Sequence, residues 1–206
     1  MLISVMLIVL TKTLGRDCMA QTNNESNLKE RLILAGLKEL EKHGIKDFSL
    51  RRVANVAEVS CAAPYRHFKN KDELISAIID YIRNDWLLLC NQITEIITKK
   101  EQLIKELCSA CVRFWIGNGN FLSVLFLIQS STNPEQKRTL ILFDSPIVDA
   151  ISKHCVEKEI IRSKEVILKN AIPSLIYGTV MLITRGSTPP EEAIQNMKLT
   201  IDELLK

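Results

Sequence analysis

The chain has 206 residues, of which 47% are hydrophobic and 25% charged. That suffices for one large domain, or a small domain attached to a larger one, and it excludes global disorder. Only 7 Gly and 6 Pro interrupt it, which favours helices over a many-turned β architecture. No G-x-G-x-x-G or G-x-x-x-x-G-K-[ST] string occurs, which argues against dinucleotide and P-loop folds.

The net charge of +3 is unevenly placed. Residues 28–72 hold ten Lys/Arg against six Asp/Glu, residues 1–27 are balanced, and residues 73–206 carry 15 basic and 16 acidic groups. The positive excess near the N-terminus suits phosphate. The six cysteines, Cys18, Cys61, Cys90, Cys108, Cys111 and Cys155, are scattered through a chain too large to need staples. They read as reduced cytosolic thiols, mostly buried.

Met1 to Leu10 is an apolar run of ten, too short to span a bilayer, which takes about 20 residues. It lacks a preceding basic residue and makes a poor signal peptide. Met19 opens a polar leader, so residues 1–18 are expected to lie outside the fold, and residues 1–27 are assigned to an N-terminal extension.

From Leu28 to about His43, Ile33, Gly36, Leu37 and Leu40 repeat at helical spacing, with Gly44 as the stop. Ser49 caps a short second helix containing Leu50, Val53, Ala54 and Ala57. After Glu58-Val59, Ser60 caps a third that runs through Phe68. Asn70 and Glu73 form a reciprocal cap for a fourth helix expected to exceed 25 residues, with Trp86 among its apolar positions. Leu103 to Trp115 reads as the next helix, and Phe121 to Ile128 as one buried all round. Pro134 opens a helix toward Phe143, and Pro146 to Cys155 forms another. Lys164 to Thr184 is long, with Pro173 as a kink. The final helix starts at Thr188-Pro189-Pro190-Glu191-Glu192, with Ile194, Met197 and Ile201 in its apolar stripe. The fold class is all-α with about nine helices. Residues 28–73 would form a three-helix, helix-turn-helix DNA-binding domain, and residues 74–206 a helical ligand-binding and dimerisation domain.

Two short helices joined by a tight turn can place the second in a DNA major groove while the first crosses the backbone. Ser60, Cys61, Ala62 and Ala63 are small enough to allow close approach to thymine methyls. Tyr65, Arg66 and His67 supply donors for phosphates or guanine edges. Ser49, Arg51, Arg52, Lys69 and Lys71 ring the same surface.

The segment F-S-L-R-R-V-A-N-V-A-E-V-S-C-A-A-P-Y-R-H-F-K-N-K-D-E-L, Phe48 to Leu74, closely resembles the DNA-binding signature of TetR-family regulators, most specifically in Y-R-H-F-x-x-K-D-E-L. The resemblance covers about Leu28 to Ile79. It implies that Ser49, Ser60, Tyr65, His67 and Lys71 meet phosphates and that positions 61–63 and 66 face bases. The family usually has Gly where this chain has Glu58; a positive φ there costs a non-glycine residue roughly 1 kcal/mol. Pro64 falls at N4 if Ser60 is the cap, where its missing donor forces a 3₁₀ start or a shifted cap.

His43 and His154 are expected at the surface. Cys108 and Cys111 share a helix face, but no second ligand pair lies near enough in sequence for zinc. No metal site, cofactor or catalytic constellation is read, so an enzyme is not expected. Trp86, Phe114, Trp115, Phe126 and Tyr177 are candidates for lining a ligand cavity, though aromatic residues in such helices are chiefly core. The expectation is a cytoplasmic, homodimeric, ligand-responsive repressor, released from a palindromic double-stranded DNA operator by a small apolar molecule and making no membrane contact. The alternatives are a thiol- or metal-responsive regulator using Cys108 and Cys111, and a helical ligand-binding protein without DNA function.

Overall fold

A row of apolar and small residues on one helical face, broken by glycine, sets the first element. Helix α1, Asn24–His43, begins four residues earlier than the apolar periodicity indicates. It buries Leu32, Ala35, Gly36, Glu39 and Leu40. Ile33 and Leu37 of the expected stripe lie at its margin. The stripe is displaced because Glu39, a charged residue, occupies a core position. Gly44, at φ 68, ends the helix through its N–H to the Leu40 carbonyl at 2.8 Å, the left-handed stop that glycine adopts without a Cβ clash.

The computed structural model describes residues 24–117 and 134–206, and side chains over 27–117 and 143–206. The expected helix Phe121–Ile128, the candidate Phe126 and the N-terminal extension up to residue 23 lie outside the described residues. Within them, α1 is followed by α2 (Leu50–Val56), α3 (Ala63–His67), α4 (Lys71–Ile96), α5 (Lys100–Gly117), α6 (Pro134–Glu157), α7 (Arg162–Thr184) and α8 (Pro190–Leu205). The fold is all-α, and these eight helices stand close to the nine expected.

The chain divides into two compact units. One comprises the described residues up to Glu39 together with Ser49–Ile78; the other comprises Leu40–Phe48 and Ile79–Lys206. In the first, Leu32, Ala35, Val53, Ala54, Phe68, Leu74, Ile75 and Ile78 form the core. Gly36 permits a close approach there, since a Cβ would meet Ile78 Cδ1 at 2.7 Å.

In the second unit, α5 is the central element, packed on α6, α7 and α8. It buries Leu103, Ile104, Leu107, Cys108, Ser109, Ala110, Cys111, Val112 and Trp115. Arg113 is paired with Glu191, and Lys198 with Glu106, between α5 and α8. Instead of two helices meeting near Pro146, one continuous helix, α6, runs through it. Proline lacks the N–H that would bond the carbonyl four residues back, and its ring loosens the adjoining turn. Trp86 Nε1 donates to the Phe143 carbonyl in that turn at 2.9 Å. His154, expected at the surface, is instead 1% exposed, because it falls on the α6 face that buries Ile147, Ala150, Ile151 and Cys155. Its ring nitrogens have no hydrogen-bond partner among the described residues. Burial lowers its pKa, which favours the neutral ring.

Glu58 adopts φ 55, the left-handed conformation expected at a position where the resembled signature usually has glycine. Val59 N–H bonds the Ala54 carbonyl at 3.0 Å and Glu58 N–H the Asn55 carbonyl at 3.1 Å, the paired bonds of a Schellman stop. Replacing Glu58 by Gly removes the left-handed penalty and should stabilise the protein by about 1 kcal/mol. Thermal unfolding should shift upward by roughly 2–4 °C; an unchanged or lowered midpoint would show that the turn carries no such strain.

Candidate DNA-binding surface

Helices of seven and five residues, α2 and α3, are too short to persist alone. Their position comes from packing and from a few polar bonds. Glu39, 3% exposed, is the chief polar anchor. Its Oε1 accepts the Ser49 N–H at 3.2 Å, Arg52 Nε at 2.7 Å and Arg52 Nη2 at 2.6 Å. One carboxylate thus satisfies the backbone at the start of α2 and neutralises an arginine one turn later. At the other end of α2, Arg31 Nη2 donates to the Ala57 carbonyl at 2.6 Å.

Ser49 is the N-cap of α2 by backbone conformation, but its hydroxyl makes no capping bond. At α3 the cap moves from Ser60 to Ala62, and Pro64 falls in the first helical turn, where a missing N–H costs nothing. Ser60 instead closes a tight turn, its carbonyl accepting Ala63 N–H at 2.9 Å. This is the shifted cap that Pro64 requires. At α4, Asn70 Oδ1 accepts Glu73 N–H at 2.9 Å, while Glu73 Oε2 accepts Lys69 N–H at 2.6 Å. The reciprocal cap is therefore present with its return bond one residue upstream.

The structure brings most of the candidate residues to the exposed side of this unit. Arg51, Ser60, Cys61, Ala62, Tyr65 and Arg66 are exposed, with Tyr65 at 61%. Ser49, His67 and Lys71 are half-buried. Ala63 is turned inward at 7% exposure, and Arg52 is held by Glu39, so these two are placed differently from the rest. Phe68 plugs the core at 2% exposure, with Lys29 Nζ 5.7 Å from its ring centroid.

In the second unit the cavity candidates separate. Trp86 and Trp115 are buried and join Phe114 and Phe143 in an aromatic cluster, with centroids 5.4–6.3 Å apart in sequence of contact. Tyr177 instead lines an open cleft of about 400 Å³ between α6 and α7. Its hydroxyl donates to the Asp144 carboxylate at 3.3 Å. Cys90, Cys108 and Cys111 are buried, and burial raises the pKa of each, so they are held as thiols. Cys111 Sγ accepts a bond from Trp115 Nε1 at 3.0 Å. Among the described residues no group of three or more His, Cys, Asp or Glu is placed to hold a metal ion. Sequence reasoning passed over Glu39 and Asp144. Glu39 stands i+3 from Gly36 on the buried stripe, which marks it; Asp144 sits beside Pro146 with no pattern of its own.

Residues 32–78 match the family of bacterial regulatory proteins called the tetR family. Solved structures share the fold over most of the chain. A TetR transcription regulator from Haloarcula marismortui superposes with a TM-score of 0.70 at 17% identity, covering 87% of this chain and 97% of that one. A TetR-family transcriptional regulator from Streptomyces coelicolor gives 0.69 at 17% identity, covering 87% and 95%. A transcriptional regulator from Rhodococcus sp. gives 0.70 at 17% identity, covering 86% and 95%. The segment 32–78 is a helix-turn-helix DNA-binding domain of the TetR type, set in an all-α chain with the regulators' fold. The family match covers this segment, and over the rest of the chain the likeness is one of fold.

Glu39→Ala should cost about 1–3 kcal/mol, because it leaves the Ser49 N–H and the Arg52 guanidinium without their shared acceptor. Urea unfolding of the variant measures this directly; a midpoint equal to wild type would remove Glu39 as the anchor of α2.

Proposed function

We propose that the protein is a cytoplasmic, non-enzymatic, ligand-responsive repressor that binds a near-palindromic operator as a homodimer. The observation that carries this reading is the exposure, on one short helix and its approach turn, of Ser60, Cys61, Ala62, Tyr65 and Arg66 within the matched DNA-binding domain. Residues 28–73 would serve DNA and residues 74–206 the effector and the dimer. Small residues at 61 and 62 let α3 approach base edges, with Arg66 at a guanine and Ser49, Tyr65, His67 and Lys71 on phosphates. Two such helices need a separation of about 34–36 Å to reach successive major-groove faces.

The dimer contact is assigned to α7 and α8. Helix α7 exposes Val166, Ile167, Met181 and Leu182, and α8 exposes Leu199. On α7, Gly178 is also exposed, and the space beside it is open, which suits close packing of a second helix. A two-fold four-helix bundle would cover these apolar groups. This apolar face accounts for the high hydropathy of α7, whose length and composition would also suffice to cross a membrane. The effector, a small and largely apolar molecule, would act by binding more tightly to a dimer whose reading helices are wrongly spaced. The thiol-sensor alternative is disfavoured by the burial that keeps Cys108 and Cys111 protonated.

Fluorescent DNA from the protein's own promoter, titrated at several salt concentrations, tests the reading. Affinity should fall steeply with salt; sequence-independent binding, or binding indifferent to salt, would reject it. Arg66→Ala should cost about 1–3 kcal/mol on the operator and relax specificity, whereas Lys71→Ala should weaken all sequences alike and lower the salt slope by about one. Leu182→Glu should shift the protein to monomers in sedimentation velocity, since two-fold symmetry buries two new charges in one contact. A dimer that survives this change would place the interface elsewhere.

A further inference from the structure

The cleft between α6 and α7 carries two carboxylates, Asp144 and Asp149, against one lysine, Lys169. Several of its hydrogen-bond donors are engaged within the protein. The Tyr177 hydroxyl is directed at Asp144, 3.3 Å from one carboxylate oxygen and 3.5 Å from the other. Asn170 Nδ2 donates to the Val166 carbonyl at 2.8 Å, and the Ser174 hydroxyl to the Asn170 carbonyl at 2.8 Å. The Lys169 ammonium is held by Glu165 at 2.6 Å. Pro173 adds a further acceptor, because it removes the helical donor that would otherwise take the Lys169 carbonyl. What the cleft offers a ligand is therefore the Asp144 carboxylate, the exposed Asp149, the Asn170 and Ser174 side-chain oxygens and apolar wall from Val148 and Pro173.

Asp144 is the focus of this arrangement. It is half-buried, and burial raises its pKa while only the long Tyr177 bond opposes the shift. No cation pairs with it among the residues that line the cleft, since the one lysine there is bound to Glu165. A carboxylate taken partly out of water regains its lost solvation from a positive charge that donates hydrogen bonds. We propose that the α6–α7 cleft is the effector site and that it selects molecules with an apolar body and a protonated amine, the amine seated on Asp144 beside Tyr177. The inference rests on the ligand-responsive reading above and specifies the charge of the ligand.

Three probes with one scaffold isolate that charge: 4-phenylbutylamine, 4-phenylbutanol and 4-phenylbutyrate, titrated calorimetrically into the full-length, DNA-free protein. The amine should bind at least about tenfold more tightly than the alcohol, as a charge-assisted bond is roughly twice as strong as a neutral one, and the carboxylate should bind least. Asp144→Asn should bring the amine down to the alcohol's level and leave the alcohol unchanged, which separates loss of charge from loss of folding. Lowering the pH through the raised Asp144 titration should weaken the amine alone, because the protonated acid no longer attracts it. Equal affinities for amine and alcohol, preference for the carboxylate, binding by none of the three at millimolar concentration, or an amine preference that survives in Asp144→Asn would each overturn the proposal. Binding is read without DNA, so the two readings can fail separately. An amine that binds but leaves the operator complex intact defeats the regulatory reading; an operator complex released by the carboxylate defeats this one.

Discussion

The shortness of α2 and α3 is the constraint on which the candidate DNA-binding surface depends. Nucleating a helix costs several fixed residues for one hydrogen bond, so seven- and five-residue helices exist only where tertiary contacts hold both ends. Here Val53, Ala54 and Phe68 bury one side of the pair, while Glu39 and Arg31 bind its polar ends. The division of labour leaves the opposite side free of structural duties. Ser49 illustrates it: Glu39 takes its N–H, and its hydroxyl makes no cap bond. A surface assembled in this way can vary its exposed residues without losing its shape, since the exposed groups contribute little to holding it.

Most helix boundaries were legible in the sequence because their punctuation is local chemistry. Gly44, Asn70 with Glu73, and the proline pair before α8 each act within a few residues, and each ends or starts a helix close to the expected place. Pro64 was legible in the same way, through a donor it lacks. The displaced face of α1 was harder to read, because a charged residue in the core breaks the rule that polar positions face water. Glu39 obeys a different rule: it is buried because its partners are buried with it or beside it. The single α6 helix was missed for a related reason. A proline does not by itself end a helix, and α6 continues through Pro146 with its neighbouring Phe143 carbonyl tied to Trp86, 57 residues away. His154 was misplaced by residue type, although its spacing from Ile147 and Ile151 puts it on the inner face.

The two partly or wholly buried carboxylates show how physical satisfaction separates scaffold from site. Glu39 accepts a backbone N–H and two guanidinium donors at 2.6–3.2 Å, so its charge is balanced inside the fold and nothing further is asked of a ligand. Asp144 accepts only a tyrosine hydroxyl at 3.3–3.5 Å among the bonds described, and the one lysine lining the cleft is paired with Glu165. A charge removed from water without a partner is unfavourable for folding, and such a group persists where its interaction is completed by something outside the chain. The chemistry of what completes it follows from the sign of the charge and from the donors already spent around it: a neutral apolar molecule would fill the space and leave the carboxylate as it was. A molecule with a protonated nitrogen would recover both the apolar contact and the lost solvation, and its occupancy would shift a conformational balance only as far as that gain differs between the two conformations.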